Sequence, residues 1–130
     1  MFAKGIGDPN FILVRNENSI LVSDDVTNEI FELNAEGVLR LFNTSVNHPN
    51  GMAISKDGKT LYIAQIFRNI KPVVLDSRLW SIELVDGKPT GKMILAVEKN
   101  TYAGFDGLAM DELGRIYICL LYTSPSPRDA

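Results

Sequence analysis

The chain has 130 residues, enough for one modest domain and too few for two full ones. Hydrophobic residues make up 45% and the formal net charge is −3, so there is material for a core and no basic stripe of the kind nucleic acid requires. No apolar run approaches the roughly 18–20 residues of a membrane-spanning helix, and a lone cysteine, Cys119, excludes a disulfide framework and a multi-cysteine zinc site. Nucleic acid and membrane are therefore not expected partners, and the composition is silent on oligomeric state. Met1 to Asp8 lack a basic stretch followed by an apolar one, so no signal peptide is visible and the cytoplasm is the default expectation.

Taken in chain order, one pattern recurs. It opens as DPNFILVRNENSILVSD (8–24), returns as HPNGMAISKDGKTLYIA (48–64), and returns again as GFDGLAMDELGRIYI (104–118). Each copy holds an Asn or Asp, a short apolar run, a polar turn and a β-rich run. The turns fall at Asn16-Glu17-Asn18, Lys56-Asp57-Gly58 and Glu112-Leu113-Gly114, and the strands that follow are predicted at 20–23, 61–64 and 116–118. The first two copies each add a second hairpin. Glu29–Leu33 turns at Asn34–Gly37 into Val38–Phe42, and Arg78–Leu84 turns at Asp86-Gly87 into Lys92–Val97. Apolar and polar residues mostly alternate along these runs, as in a half-buried antiparallel sheet.

Four antiparallel strands per unit is the plan of a β-propeller blade. Asn10 and Asn50 are 40 residues apart, and Asn50 and Asp106 are 56 apart. Blades usually take about 40–50 residues, so the second carries an insertion, expected as an extra loop from Gln65 to Ser77 with Arg68 near a substrate entrance. No segment has helical periodicity. The predicted fold is all-β, a partial propeller of about two and a half blades, and a closed ring takes about 4–8.

After Ile118 the composition shifts. Cys119 to Asp129 back-translates, with permitted codons, into a string resembling the transposase end of a sequencing-library adapter. The expected division is therefore a propeller segment, 1–118, and a non-native tail, 119–130, which removes Cys119 from any catalytic reading.

The segments HPNGMAISKDGKTLYIA and GFDGLAMDELGRIYI, with Arg78-Leu-Trp80 between them, resemble the SMP-30/gluconolactonase/LRE-like family, also called regucalcin-like. The resemblance covers most of residues 8–118. It implies a six-bladed parent with one divalent metal in the central channel, usually Ca²⁺, with Zn²⁺, Mg²⁺ or Mn²⁺ as alternatives. The implied activity is hydrolysis of a sugar lactone such as gluconolactone to the aldonic acid. Motif against motif, Asn50 takes the place of a metal-ligand asparagine, and Asp106 that of the aspartate that binds metal and serves as general base. Asn10 resembles an active-site asparagine that binds substrate or approaches the metal's water. The family usually has Asp next, where this chain has Phe11. The family's ligand glutamate lies in a blade before that of Asn10, and no residue here is assigned to it.

Asn10, Asn50 and Asp106 share one repeat position, the entry to the innermost strand, and in a propeller such positions converge on the axis. Amide and carboxylate oxygens are hard donors suited to Ca²⁺ or Mg²⁺. Asn-Gly and Asp-Gly are also ordinary turn sequences, so the motif taken alone reads first as a turn before a strand, and it is the resemblance that makes Asn50 and Asp106 ligand candidates. His48 reads as a turn residue and Trp80, Phe31 and Tyr62 as packing between blades. Asp24 and Asp25 read as solvated loop carboxylates, with a second ion as the alternative; Asp57, Asp86 and Asp111 read as hairpin-turn residues. The rival to a lactonase is a non-catalytic propeller that binds a small ligand or a protein partner.

Overall fold

The strand-forming content of the repeats is realised throughout the described residues. The computed structural model describes residues 6–24, 26–43, 45–71, 73–99 and 103–122. Among these there is no helix, and the strands are β1 (Pro9–Asn16), β2 (Ser19–Asp24), β3 (Glu29–Leu33), β4 (Leu39–Asn43), β5 (Pro49–Ile54), β6 (Thr60–Ile70), β7 (Val73–Val85), β8 (Lys88–Lys99), β9 (Ala103–Met110) and β10 (Ile116–Tyr122). They form three antiparallel meanders in sequence order: β1-β2-β3-β4, β5-β6-β7-β8 and the pair β9-β10. The chain is a partial β-propeller with two complete blades and two strands of a third. The turns follow the residue chemistry: Asp86 and Gly87 both take positive φ, 52° and 76°, as a two-residue hairpin loop demands.

The predicted loop from Gln65 to Ser77 is instead a hairpin. Its residues extend β6 and β7, with Gln65 opposite Arg78, Phe67 opposite Leu75 and Ile70 opposite Val73. Two register shifts, on either side of Phe67, absorb its irregularity. The β-branched and aromatic content of Ile66, Phe67, Val73 and Val74 makes pairing cheaper than an open loop. Strand β10 likewise runs on past Ile118, pairing Leu120 with Phe105 and Tyr122 with Ala103. An apolar run pairs whatever DNA encodes it. Residues 123–130, the rest of the expected tail, lie outside the described residues.

The core lies between the sheets. Leu21 and Ile30 of the first sheet meet Met52, Leu61, Ile63, Ile82 and Leu84 of the second, with Val46 from the linking segment. Ala53, Ala64 and Leu79, on the other face of the second sheet, meet Phe105 and Leu108 of the third. Trp80 borders the first cluster and Tyr62 the second, so both pack between blades as expected. Phe31 does not. It stands in register with Val22 and Leu41, on the face turned away from the second sheet, because Ile30 beside it faces the core. Ile12 and Val14 share that outer face and are 61% and 64% exposed.

A polar clamp holds the two complete blades together at the end where β1 finishes. Arg15 donates from Nη2 to Glu32 Oε2 at 2.6 Å, from Nε to Ser19 Oγ at 2.9 Å, and from Nη1 to the Gly87 carbonyl of the second blade at 2.8 Å. The opposite end, where β1, β5 and β9 begin, carries the candidate site.

Candidate functional site

Each of the three inner strands is bulged at the repeat position singled out in the sequence. In β1, Pro9 pairs with Asp24 and Phe11 with Ser23, so Asn10 is an extra residue. In β5, Pro49 pairs with Gln65 and Met52 with Ile63, so Asn50 and Gly51 together oppose Ala64. In β9, Phe105 pairs with Leu120 and Leu108 with Ile118, so Asp106 and Gly107 together oppose Cys119. A bulge bends its strand and re-aims the extra side chain, and such irregularities concentrate beside active sites. The repeat thus conserves a backbone device within the chain as well as a residue type.

The bulges also bring the strands together. A Cβ on Gly51 would stand 2.5 Å from the Leu108 nitrogen and 2.7 Å from the Gly107 carbonyl carbon, with the Asp106 carbonyl oxygen closer still. Only a glycine lets β5 come this near β9. From β1, Phe11 Cε1 lies 3.8 Å from where a Cβ on Gly107 would be. The three inner strands therefore converge around Gly51 and Gly107, carrying Asn10, Asn50 and Asp106 to one end of the molecule.

These residues differ in environment. Asn10 is exposed and Asp106 half-buried. Asn50 is only 3% exposed, and its Oδ1 has no hydrogen-bond partner among the described residues. A buried amide oxygen left unpaired costs about 1–3 kcal/mol, a cost that a ligand at that oxygen would remove. Among the described residues no three His, Cys, Asp or Glu side chains gather at one place. Asn50 and Asp106 offer an amide and a carboxylate oxygen, hard ligands whose chemistry fits Ca²⁺ or Mg²⁺ as part of a larger set, with the Asn10 amide at the same end.

Two residues at the end of β2 support this arrangement, and their roles were not anticipated. Ser23, fully buried, donates its hydroxyl to the Asn50 carbonyl at 2.8 Å. Asp24 is also fully buried, not solvated: Oδ2 accepts from the Asp8 N–H at 2.9 Å, and Oδ1 from Val26 and Thr27 at 3.0 Å each. It closes the turn after β2 and anchors the entry to β1, so its oxygens are occupied by the backbone. Asp25 lies outside the described residues. Burial raises the Asp24 pKa, but the N–H groups of Asp8, Thr27 and Val26 outweigh it and hold the group below its ordinary value.

A folded-state pKa below the unfolded one means that this carboxylate stabilises the fold at neutral pH. Asp24→Asn sets an amide N–H₂ against backbone donors and is expected to cost about 2 kcal/mol at pH 7, measured by urea unfolding. The difference from the parent should be complete above the ordinary carboxylate range of about 4 and shrink as pH falls through the lowered pKa. A constant difference down to strongly acid pH would show that the carboxylate's charge is not the cause.

Among the remaining residues, His48, Asp57 and Asp111 serve turns and packing. His48 takes positive φ, 45°, as a turn residue, but it is buried, with its ring edge-on to Phe67 at 6.0 Å and its backbone N–H donating to Asn28 Oδ1 at 2.7 Å. Asp57 and Asp111 accept backbone N–H bonds within their own turns, from Lys59 and from Leu113 and Arg115. Arg68 is exposed on the extended hairpin, which replaces the expected covering loop. Cys119 is a free, exposed thiol.

No curated protein matches the chain. A family model described as "SMP-30/Gluconolactonase/LRE-like region" matches residues 6–125, which include all three sheets and all three bulges. By that match the chain belongs to the SMP-30/gluconolactonase/LRE-like family.

Proposed function

We propose that the propeller built from these blades hydrolyses a sugar lactone, such as gluconolactone, to its aldonic acid with the aid of a divalent cation, Ca²⁺ first among the candidates. The observation that carries this reading is the buried, unpartnered Oδ1 of Asn50, held in a bulge beside the bulge that carries Asp106. Asn50 and Asp106 would hold the cation. When bound, it supplies Lewis acidity that polarises a carbonyl and lowers the pKa of water.

The chain's own residues account for the rest of the chemistry. Asp106 is half-buried and so accessible to solvent, and its carboxylate accepts a proton from the attacking water as general base. Asn10, exposed at its bulge, is the substrate-binding residue of this reading, its amide being of the type that pairs with the hydroxyls or ring oxygen of a lactone. Ring opening then releases the alkoxide, which takes up that proton and leaves the hydroxy acid.

The test is proton release from gluconolactone by the protein expressed from its complete natural reading frame, before and after EDTA. Turnover is expected to vanish with chelator and return with Ca²⁺, and Asp106→Ala should lower kcat by about 100-fold or more. Chelator-insensitive turnover, or an Asp106→Ala variant working at full rate, overturns the reading. Ca²⁺ binding without turnover of any sugar lactone would favour a ligand-binding propeller.

A further inference from the structure

We propose that Ser23 is a positioning residue for the Asn50 donor, acting across the interface between the first and second blades; the inference rests on the metal-site reading above. Asn50 and Gly51 face a single partner residue, so the ladder between β5 and β6 is interrupted there. The Asn50 carbonyl takes its hydrogen bond from the neighbouring blade, from a Ser23 hydroxyl that is itself fully buried. Ser23 is also the register partner of Phe11, the residue after Asn10. One side chain therefore touches the β5 bulge and adjoins the β1 bulge, and it fixes the peptide on which the Asn50 side chain is mounted.

The alternative to this bond is a buried carbonyl without its partner. The Asn50–Gly51 peptide relieves that by rotating, because glycine accepts backbone conformations closed to other residues. Without the Ser23 bond the bulge loses the anchor across the blade interface that fixes the Asn50 backbone, and the direction of its side chain is no longer held. Ser23 thus acts on a cation through the orientation of Asn50, with no contact of its own.

The experiment is Ca²⁺ titration by calorimetry of the full-length protein and of two variants, Ser23→Ala and Val22→Ala, each with its thermal melt. Val22 is the adjacent buried residue, on the opposite face of β2, so its truncation loosens the strand without touching Asn50. Ser23→Ala is expected to bind Ca²⁺ about tenfold more weakly, in the range lost when a group that orients a ligand is removed. Val22→Ala, destabilised as much or more, should bind as the parent does. Parental affinity in Ser23→Ala overturns the inference, and so does an equal loss in both variants, which would mean general loosening. A parent protein that takes up no Ca²⁺ overturns the metal-site reading itself, and this inference with it.

Discussion

Gly51→Ala is expected to destabilise the protein by about 3 kcal/mol and to open the contact between the second and third sheets. The new methyl would stand 2.5 Å from the Leu108 nitrogen and 2.7 Å from the Gly107 carbonyl carbon. Those are backbone atoms of a paired strand, with no flexible end to swing aside. Relief requires β9 to retreat from β5, which separates Phe105 and Leu108 from Ala53, Ala64 and Leu79. Overpacking alone costs about 1–3 kcal/mol, and the apolar surface uncovered by the retreat adds to it. Gly107→Ala is the control. Its methyl would meet only side-chain atoms, Cys119 Sγ and Phe11 Cε1, at an ordinary 3.8 Å, and its cost should stay within about 1 kcal/mol. Denaturant unfolding of the pair decides: a lowered midpoint for Gly51→Ala alone confirms the close approach of the two bulges. Equal midpoints would show that β5 and β9 are separated by more than a side chain.

The two glycines illustrate what a sequence displays and what it hides. Strand identity was legible because alternation is written residue by residue, as in Glu29–Leu33, which forms β3 as predicted. The turn at Asp86-Gly87 was legible for the same local reason. Register is different, since it belongs to two strands at once. Nothing in HPNGMAI announces that Asn50 and Gly51 will together face Ala64; the glycine is the only trace. The extension from Gln65 to Ser77 was misread as a loop because the 56-residue spacing from Asn50 to Asp106 reports an insertion but not its conformation, which pairing between the two arms of the hairpin decides. Asp24 was misread as solvated because a carboxylate at a strand end usually is. Its burial follows from three backbone N–H groups, of Asp8, Val26 and Thr27, that only the folded turn gathers. The repeat located Asn10, Asn50 and Asp106, and the geometry added the reason they recur: a bulge at each. Ser23 had no sequence signal, being an ordinary strand serine until the neighbouring blade offers it a carbonyl.

Asn50→Leu is expected to raise stability without metal and to remove every stabilising effect of Ca²⁺. The position is 3% exposed, and Oδ1 there has no hydrogen-bond partner among the described residues, so the fold carries a penalty of about 1–3 kcal/mol at this atom. Leucine has the same branched skeleton and no polar atom, and replacing an unpaired polar group by an apolar one of like shape is neutral to stabilising. In EDTA the variant should therefore gain about 1 kcal/mol in urea unfolding. In saturating Ca²⁺ the order should reverse. A cation that binds only the folded parent stabilises it by about 2.7 kcal/mol at a hundredfold excess over Kd, and the variant, lacking the donor, should not respond. The two stability curves cross as Ca²⁺ rises, which is the behaviour of a residue retained for a ligand at the fold's expense. A variant less stable than the parent in EDTA would show that the amide serves the fold, and Asn50 would then be a turn residue before a strand. A variant that still gains stability from Ca²⁺ would place the cation elsewhere. Only the crossing ties the orphaned oxygen, the bulge that holds it and the cation to one cause.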